Sequence, residues 1–177
     1  MSEKRLSFLS ESTQRIHKEY LNTLRLRYSI LLKSEPQLIG LEAVDIQRSR
    51  GIKRDIKEEA VRQLSEIKAH ELYFSSFGEC GGRSDTIRAR YGSENSFLYE
   101  TMRSALNFGE GYCFIVKSQN GIFALNTKTA ETVYLDGRIS PVLCIDLYEH
   151  AYFCDYGFKR EEYLNAALFH LDLKRLQ

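Results

Sequence analysis

The sequence predicts an α+β fold: a long N-terminal helical hairpin followed by a C-terminal α/β lobe with a small three-stranded antiparallel sheet. Three observations predict it. Two long stretches in the first half keep apolar residues at helical spacing, GYCFIVKSQNGIFALNT in the second half reads as two strands about Asn120-Gly121, and helical spacing returns near the C-terminal end. A glycine group at Gly78, Gly81 and Gly82 marks the change of character, so the expected division is a helical domain over 1–80 and an α+β domain over 81–177.

From Ser12 to Lys33 the residues Ile16, Tyr20, Leu24 and Leu31 recur at three- to four-residue steps, and Pro36 follows the run. A neighbouring stripe, His17, Leu21, Leu24 and Tyr28, shares a face with them, so Leu21 and Leu24 border whatever His17 touches. The second helix spans Asp55 to Phe77 on Ile56, Ala60, Leu64, Ile67 and Leu72, with Lys, Glu and Arg on its other faces. The two helices are expected to pair. Between them Pro36 to Arg54 is charged and weakly periodic, and it predicts no definite element. A further helix is expected near Asn95 to Asn107. After it comes the hairpin, whose Asn-Gly dipeptide suits a tight turn with positive φ at both central residues. Thr132 to Leu135 and Pro141 to Leu147 supply further β-branched and aliphatic runs, and Glu161 to Leu176 returns to helical spacing.

Composition removes several classes of function. The chain of 177 residues is long enough to bury a core without a disulfide or structural metal. Lys plus Arg is 25 against 24 Asp plus Glu, which argues against nucleic acid as the partner. No apolar run reaches membrane-spanning length, and MSEKRLSFLS has no signal-peptide character, so the expectation is a soluble, cytoplasmic protein. Cys80, Cys113, Cys144 and Cys154 form no C-x-x-C pair and are expected to be reduced, buried thiols.

Four histidines, His17, His70, His150 and His170, are few enough to weigh singly. Asp146 and His150 stand four apart where an apolar strand ends, and a helical turn there would aim both at one point. A lone histidine in an apolar helix is more often a hydrogen-bonded core residue than a ligand. Three neutral imidazoles joined by a carboxylate would suit redox-active iron or manganese, and would also accept zinc.

Asp146-Leu147-Tyr148-Glu149-His150-Ala151-Tyr152-Phe153 closely resembles the iron/manganese superoxide dismutase signature Asp-Val-Trp-Glu-His-Ala-Tyr-Tyr. Lys159-Arg160-Glu161-Glu162-Tyr163-Leu164 is similar to that family's Arg-Pro-Asp-Tyr-Leu stretch, and Phe108-Gly109-Glu110-Gly111-Tyr112-Cys113-Phe114 to its Phe-Gly-Ser-Gly-Trp-Ala-Trp. Upstream, His70-Glu71-Leu72-Tyr73-Phe74 resembles its His-Ser-Leu-Phe-Trp, and Ile16-His17 falls where the family has its first metal-binding histidine. The resemblance covers nearly the whole chain and is weakest between Lys33 and Arg54. It implies that His17, His70, Asp146 and His150 hold one iron or manganese ion between the two lobes, and that superoxide is the substrate. It also implies a homodimer in which Glu149 bonds to the partner's ligand histidine.

Several positions depart from the family pattern. Leu21 and Arg25 stand where the family places a His and a Tyr along its substrate funnel. Leu21 cannot relay a proton, whereas the Arg25 guanidinium, together with Arg160 at the family's funnel arginine, could attract an anion. Glu66 occupies one of two places at which relatives carry a glutamine, and Ala130 or Glu131 the other, so Glu66 is expected near the metal-bound solvent. The chain has no tryptophan, and Phe74, Tyr112, Phe114 and Tyr148 take the places of the family's tryptophans. Tyr152 would meet Leu21 in place of the family's helix-one histidine. Three readings follow: a superoxide dismutase with altered surroundings of the metal, a non-catalytic metal-binding protein of the same fold, or another redox metalloenzyme with Arg25 binding an anionic substrate. His170 has no metal counterpart in the family and is expected to pack or face solvent.

Overall fold

The computed structural model describes residues 6–78 and 82–177. Cys80 and Gly81 therefore lie outside the described residues, and with them the point at which the sequence predicts a domain boundary. The first long helix, α1, runs Glu11–Ser34, opened by Ser10, whose side chain accepts from the Thr13 N–H. Its inward face is the His17 stripe: Thr13, Gln14, His17, Leu21 and Leu24 are buried. The alternative stripe does not face the core, since Ile16 and Tyr20 remain well exposed. Polar residues can occupy the inward face because they are bonded there. Gln14 Nε2 donates to the Leu6 and Leu9 carbonyls while its Oε1 accepts from the Leu6 N–H.

The Pro36 to Arg54 stretch forms a short 3-10 turn at Pro36–Leu38 and then a helix, α2, at Ala43–Arg48. Its Leu38, Ala43 and Ile46 pack on Ala60 and Val61, a contact that six residues of local pattern could not announce. The second long helix, α3, spans Arg54–Ser75. It lies antiparallel to α1, with His17 meeting His70 at one end and Leu31 sharing a cluster with Ala60 and Val61 at the other. Two further helices follow, α4 at Asp85–Tyr91, unanticipated, and α5 at Glu94–Phe108.

The sheet has strands β1 (Tyr112–Ser118), β2 (Gly121–Thr127) and β3 (Ile139–Asp146) in the order β2-β1-β3, all antiparallel. The hairpin forms where the sequence places it, but its turn differs: Gly121 alone carries positive φ (99°), and Asn120 does not. Ser118 pairs with Gly121, so the central residues are Gln119 and Asn120, with the Ser118 hydroxyl accepting from the Asn120 N–H. The Thr132 to Leu135 run is not a strand. It folds as the helical turn α6, Glu131–Tyr134, which buries Val133 and leaves the sheet at three strands. Pro141 sits in edge strand β3 beside a register shift, the kind of position to which proline is confined within sheets.

Two short elements, a 3-10 turn at Glu149–Ala151 and helix α7 at Phe153–Tyr156, lead into α8 at Arg160–Phe169. The helical reading beyond Phe169 gives way to a 3-10 turn at Leu173–Leu176. One large apolar cluster joins Ala69, Tyr73 and Phe77 of the α3 end to Phe114, Ile115, Leu143 and Ile145 of the sheet and Tyr163 of α8. Each large side chain so buried contributes roughly 1.5–3 kcal/mol. Gly111 fixes the start of β1: its φ is 137°, and a Cβ there would collide with the Thr127 carbonyl oxygen. The thiol expectation holds for Cys113 and Cys144, which are buried and free, whereas Cys154 is free but exposed.

Candidate metal centre

Register carries the chain's signature segment to the seam between the helices and the sheet. Tyr112 pairs with Asp146, so the last residue of β3 lies at the sheet end nearest α1 and α3. Beyond it the Leu147 N–H donates to the Gly111 carbonyl (2.8 Å), and the Tyr163 hydroxyl donates to the Asp146 carbonyl (2.7 Å). The Asp146 side chain then turns the chain itself, Oδ1 accepting from the Tyr148 N–H at 2.9 Å. This leaves Oδ2 for the site. His150 arrives on the 3-10 turn, four residues on, as the spacing suggested.

Around Asp146 Oδ2 stand three imidazoles: His150 Nε2 at 3.0 Å, His17 Nε2 at 3.2 Å and His70 Nε2 at 3.6 Å. One ligand atom from each of the four residues lies within 4.8 Å of every other. His17, His70 and Asp146 are fully buried, and the His150 side chain is 33% exposed. The His70 Nδ1–H donates to the Glu66 carbonyl at 2.7 Å, which leaves the Nε2 lone pair facing the cluster. Both His17 nitrogens and His70 Nε2 are buried with no hydrogen-bond partner. Such orphaned groups cost about 1–3 kcal/mol each unless something satisfies them. The donor set, three nitrogens and one carboxylate oxygen aimed at a common centre, fits a transition-metal ion.

Burial and the shared carboxylate act differently on these groups. Burial drives the His70 imidazole down to about 4, outweighing the upward pull of Asp146, so it is neutral at physiological pH. Burial alone would raise the Asp146 carboxyl, but the His150 hydrogen bond and the neighbouring His17 reverse this and hold it well below the usual carboxylate range. At His150 burial pulls down and the Asp146 bond more than compensates, a net upward shift.

Aromatic rings enclose the cluster. Tyr73 and Phe74 lie 4.8 and 5.0 Å from His17, Tyr112 stands 6.0 Å from His70, and Tyr148 stacks on His150 at 5.7 Å. Of the four residues at the family's tryptophan places, Phe114 alone stands off, against Tyr112. Tyr20, which sequence reasoning assigned only to an apolar stripe, lies 5.3 Å from the His70 ring and 5.0 Å from that of His150, and its hydroxyl donates to Glu66 Oε2 at 3.4 Å. The signal was present: Tyr20 stands three residues after His17, one helical turn along the same edge.

Residues 81–177 match the family model described as iron/manganese superoxide dismutases, C-terminal domain, which is more than half of the chain. The chain belongs to the iron/manganese superoxide dismutase family. Among curated relatives, superoxide dismutase (Fe) of Pseudoalteromonas translucida is 34% identical over 110 residues, covering 58% of this chain and 57% of that protein. Superoxide dismutase (Fe) of Bordetella pertussis is 28% identical over 156 residues, covering 84% and 75%. Superoxide dismutase (Mn/Fe) of Rickettsia typhi is 29% identical over 114 residues, covering 60% and 54%. The alignments thus span from about half to three quarters of these relatives' length.

The remaining residues singled out in the sequence occupy varied places in this superoxide dismutase fold. Arg25 makes an exposed ion pair with Glu71 at 2.8 Å. Arg160 donates to the Ala105 carbonyl at 3.2 Å and to the Gly109 carbonyl, closing the C-terminal end of α5. Tyr152 stacks on Tyr163 at 4.6 Å, and Glu149 is exposed. Glu66 lies beside the cluster, its carboxyl pushed up by burial and then by Glu131, a residue whose Oε2 is buried without a partner. His170 is bonded to Ser7 and the Ala166 carbonyl and stacks on Phe8, away from the cluster. No helix among the described residues is long and apolar enough to cross a membrane.

Proposed function

We propose that His17, His70, Asp146 and His150 hold one iron or manganese ion and that the chain is a superoxide dismutase. The observation that carries this reading is the convergence of three imidazoles and one carboxylate, with both buried His17 nitrogens and His70 Nε2 left without a hydrogen-bond partner among the described residues. When bound, the ion supplies a one-electron couple that oxidises one superoxide to oxygen and reduces a second to hydrogen peroxide, which takes up two protons. The protein's own part is to hold three imidazoles and one carboxylate in a fixed array, which Tyr163, Gly111 and the Glu66 carbonyl anchor through the hydrogen bonds described above. Tyr73, Phe74 and Tyr112 exclude water from the inner side. The names of the relatives and the matching family model support the same reaction.

We further read the chain as a helical part, 1–80, and an α+β part, 81–177, the latter coinciding with the family match, with the metal at the seam. The partial exposure of His150 and the exposed Glu149 beside it support a symmetric dimer in which Glu149 bonds to His150 of the partner subunit. Free Cys113, Cys144 and Cys154 suit the reducing cytoplasm. Glu66 belongs beside the metal-bound solvent in this reading, and Arg25, Arg160 and Tyr152 in the surroundings of the substrate path. Leu21 at the place of the family's histidine favours one alternative, a metal-binding protein that does not turn over.

Metal analysis of the purified protein, joined to direct measurement of superoxide decay, tests the proposal. About one iron or manganese per chain with catalytic decay is the expected result. Bound metal with decay no faster than buffer would establish the non-catalytic alternative, and no metal uptake would overturn both.

A further inference from the structure

The metal centre has a buried side and a partly exposed side, and the partly exposed side has one lightly held ring. Tyr73 and Tyr112, which pack on His17 and His70, are fully buried within the core. At the partly exposed His150 stand Tyr148, which also touches Tyr112, and Tyr20, the rings of both in contact with that of His150. Tyr148 is pinned: its hydroxyl donates to the Lys128 carbonyl at 2.6 Å and its ring lies nearly parallel to His150, at 12°. Tyr20 is 38% exposed, and among the described residues its hydroxyl is held by the long contact to Glu66. It stands on α1 with this exposure, and a side chain can change rotamer there without a change in the helix backbone. Neither residue at the family's funnel positions can take this place. Leu21 is buried inward, and Arg25 is drawn aside to Glu71.

We infer that Tyr20 is the gate through which small anions reach the metal, and that Glu66 is its latch. The inference rests on the metal-centre reading above. Tyr20 is thereby a positioning residue for access, with two separable parts. The ring covers the space between His70 and His150, and the hydroxyl fixes the ring by donating to the Glu66 carboxylate. Relative to an uncovered path, such a cover slows an entering anion and passes a small one in preference to a bulky one.

Azide binding to the iron-loaded protein, followed by the change in its visible absorption, tests this without any measurement of turnover. Tyr20→Ala removes ring and latch, and azide should associate about tenfold faster than with the parent. Tyr20→Phe keeps the ring and loses the latch, and should fall between the two. Glu66→Ala removes the latch and a charge, so the diagnostic quantity is the combination: adding Tyr20→Phe to Glu66→Ala should change the rate less than it does in the parent. Iron content and far-ultraviolet circular dichroism equal to the parent's are required of each variant, and the half-exposed position makes Tyr20→Phe the safeguard for folding. Azide rates within about twofold of the parent in both Tyr20 variants would overturn the gate while leaving the metal centre intact. A parent that takes up no iron would overturn the metal-centre reading itself, and the gate with it.

Discussion

The inner and outer halves of the metal centre are built on different principles. Inside, His17, His70 and Asp146 are fully buried, and each position is fixed by backbone: two long helices, one strand end, and hydrogen bonds to the Asp146 and Glu66 carbonyls. Outside, Tyr20, Glu66, Tyr148 and His150 are partly exposed; the Tyr20 and His150 side chains bond to the side chains of Glu66 and Asp146, and the Tyr148 hydroxyl to a carbonyl. The buried ligand positions His17, His70 and Asp146 keep the family's residue types, whereas departures surround them both inside, at Leu21, Phe74 and Tyr112, and on the rim, at Glu66. Burial explains the contrast. A change at His17, His70 or Asp146 strands a charge or a donor in the core at a cost of several kcal/mol, while a change on the rim is met by water.

The sharpest way to break this comparison is to attack the inner half at its centre. Asp146→Ala removes the one anion shared by three imidazoles and frees the Tyr148 N–H, so metal affinity should fall by more than about 100-fold, beyond what loss of a supporting group causes. Isothermal titration of the metal-free variant with the metal reads this directly. Retained affinity would mean that the carboxylate is not a ligand.

Acidity separates the halves next, in the metal-free protein. Because His70 titrates at about 4 when folded against 6.5 when free, the unfolded chain binds the proton first as pH falls. Stability should therefore drop between pH 6.5 and about 4, with a slope of up to about 1.4 kcal/mol per pH unit. Asp146, held below its free value, adds a further loss at lower pH as it too is protonated. The rim histidine has the opposite sign: His150 is raised, so its contribution is present below pH 6.5 and fades as pH rises through the folded value. Denaturant unfolding across this range, compared with His70→Gln, isolates the inner contribution, since the variant should lose the acid-side slope.

Two arginines give smaller effects. Arg160→Ala removes hydrogen bonds to the Ala105 and Gly109 carbonyls and should destabilise by roughly 1–3 kcal/mol in thermal or chemical unfolding. Arg25→Ala, which breaks an exposed pair with Glu71, should cost less than about 1 kcal/mol and leave metal content unchanged. A strong loss of metal on Arg25→Ala would place that residue in the site after all.

The same division explains what the sequence made legible. Helical spacing revealed α1 and α3, and the hairpin followed from Asn120-Gly121, because these patterns are local. Thr132 to Leu135 looked like a strand from its β-branched content, yet Val133 finds its buried place in a helical turn, a matter of what packs on it. In the same way Ala43 and Ile46 acquire meaning only against Ala60 and Val61 on a distant helix. At the centre, Asp146 and His150 could be paired from spacing, whereas His17 and His70 joined them in the sequence only through family motifs. Tyr20 was hidden because Ile16 and Leu24 beside it suggested a core stripe, and the rotation of α1 that turns His17 inward turns Tyr20 to the rim.

Crystals of the protein loaded with iron or manganese, with anomalous diffraction recorded at the metal edge, test the central arrangement most directly. The prediction is one peak per chain lying about 2.0–2.3 Å from Nε2 of His17, His70 and His150 and from a carboxylate oxygen of Asp146. A metal peak elsewhere, or none among these four side chains after loading, would contradict it.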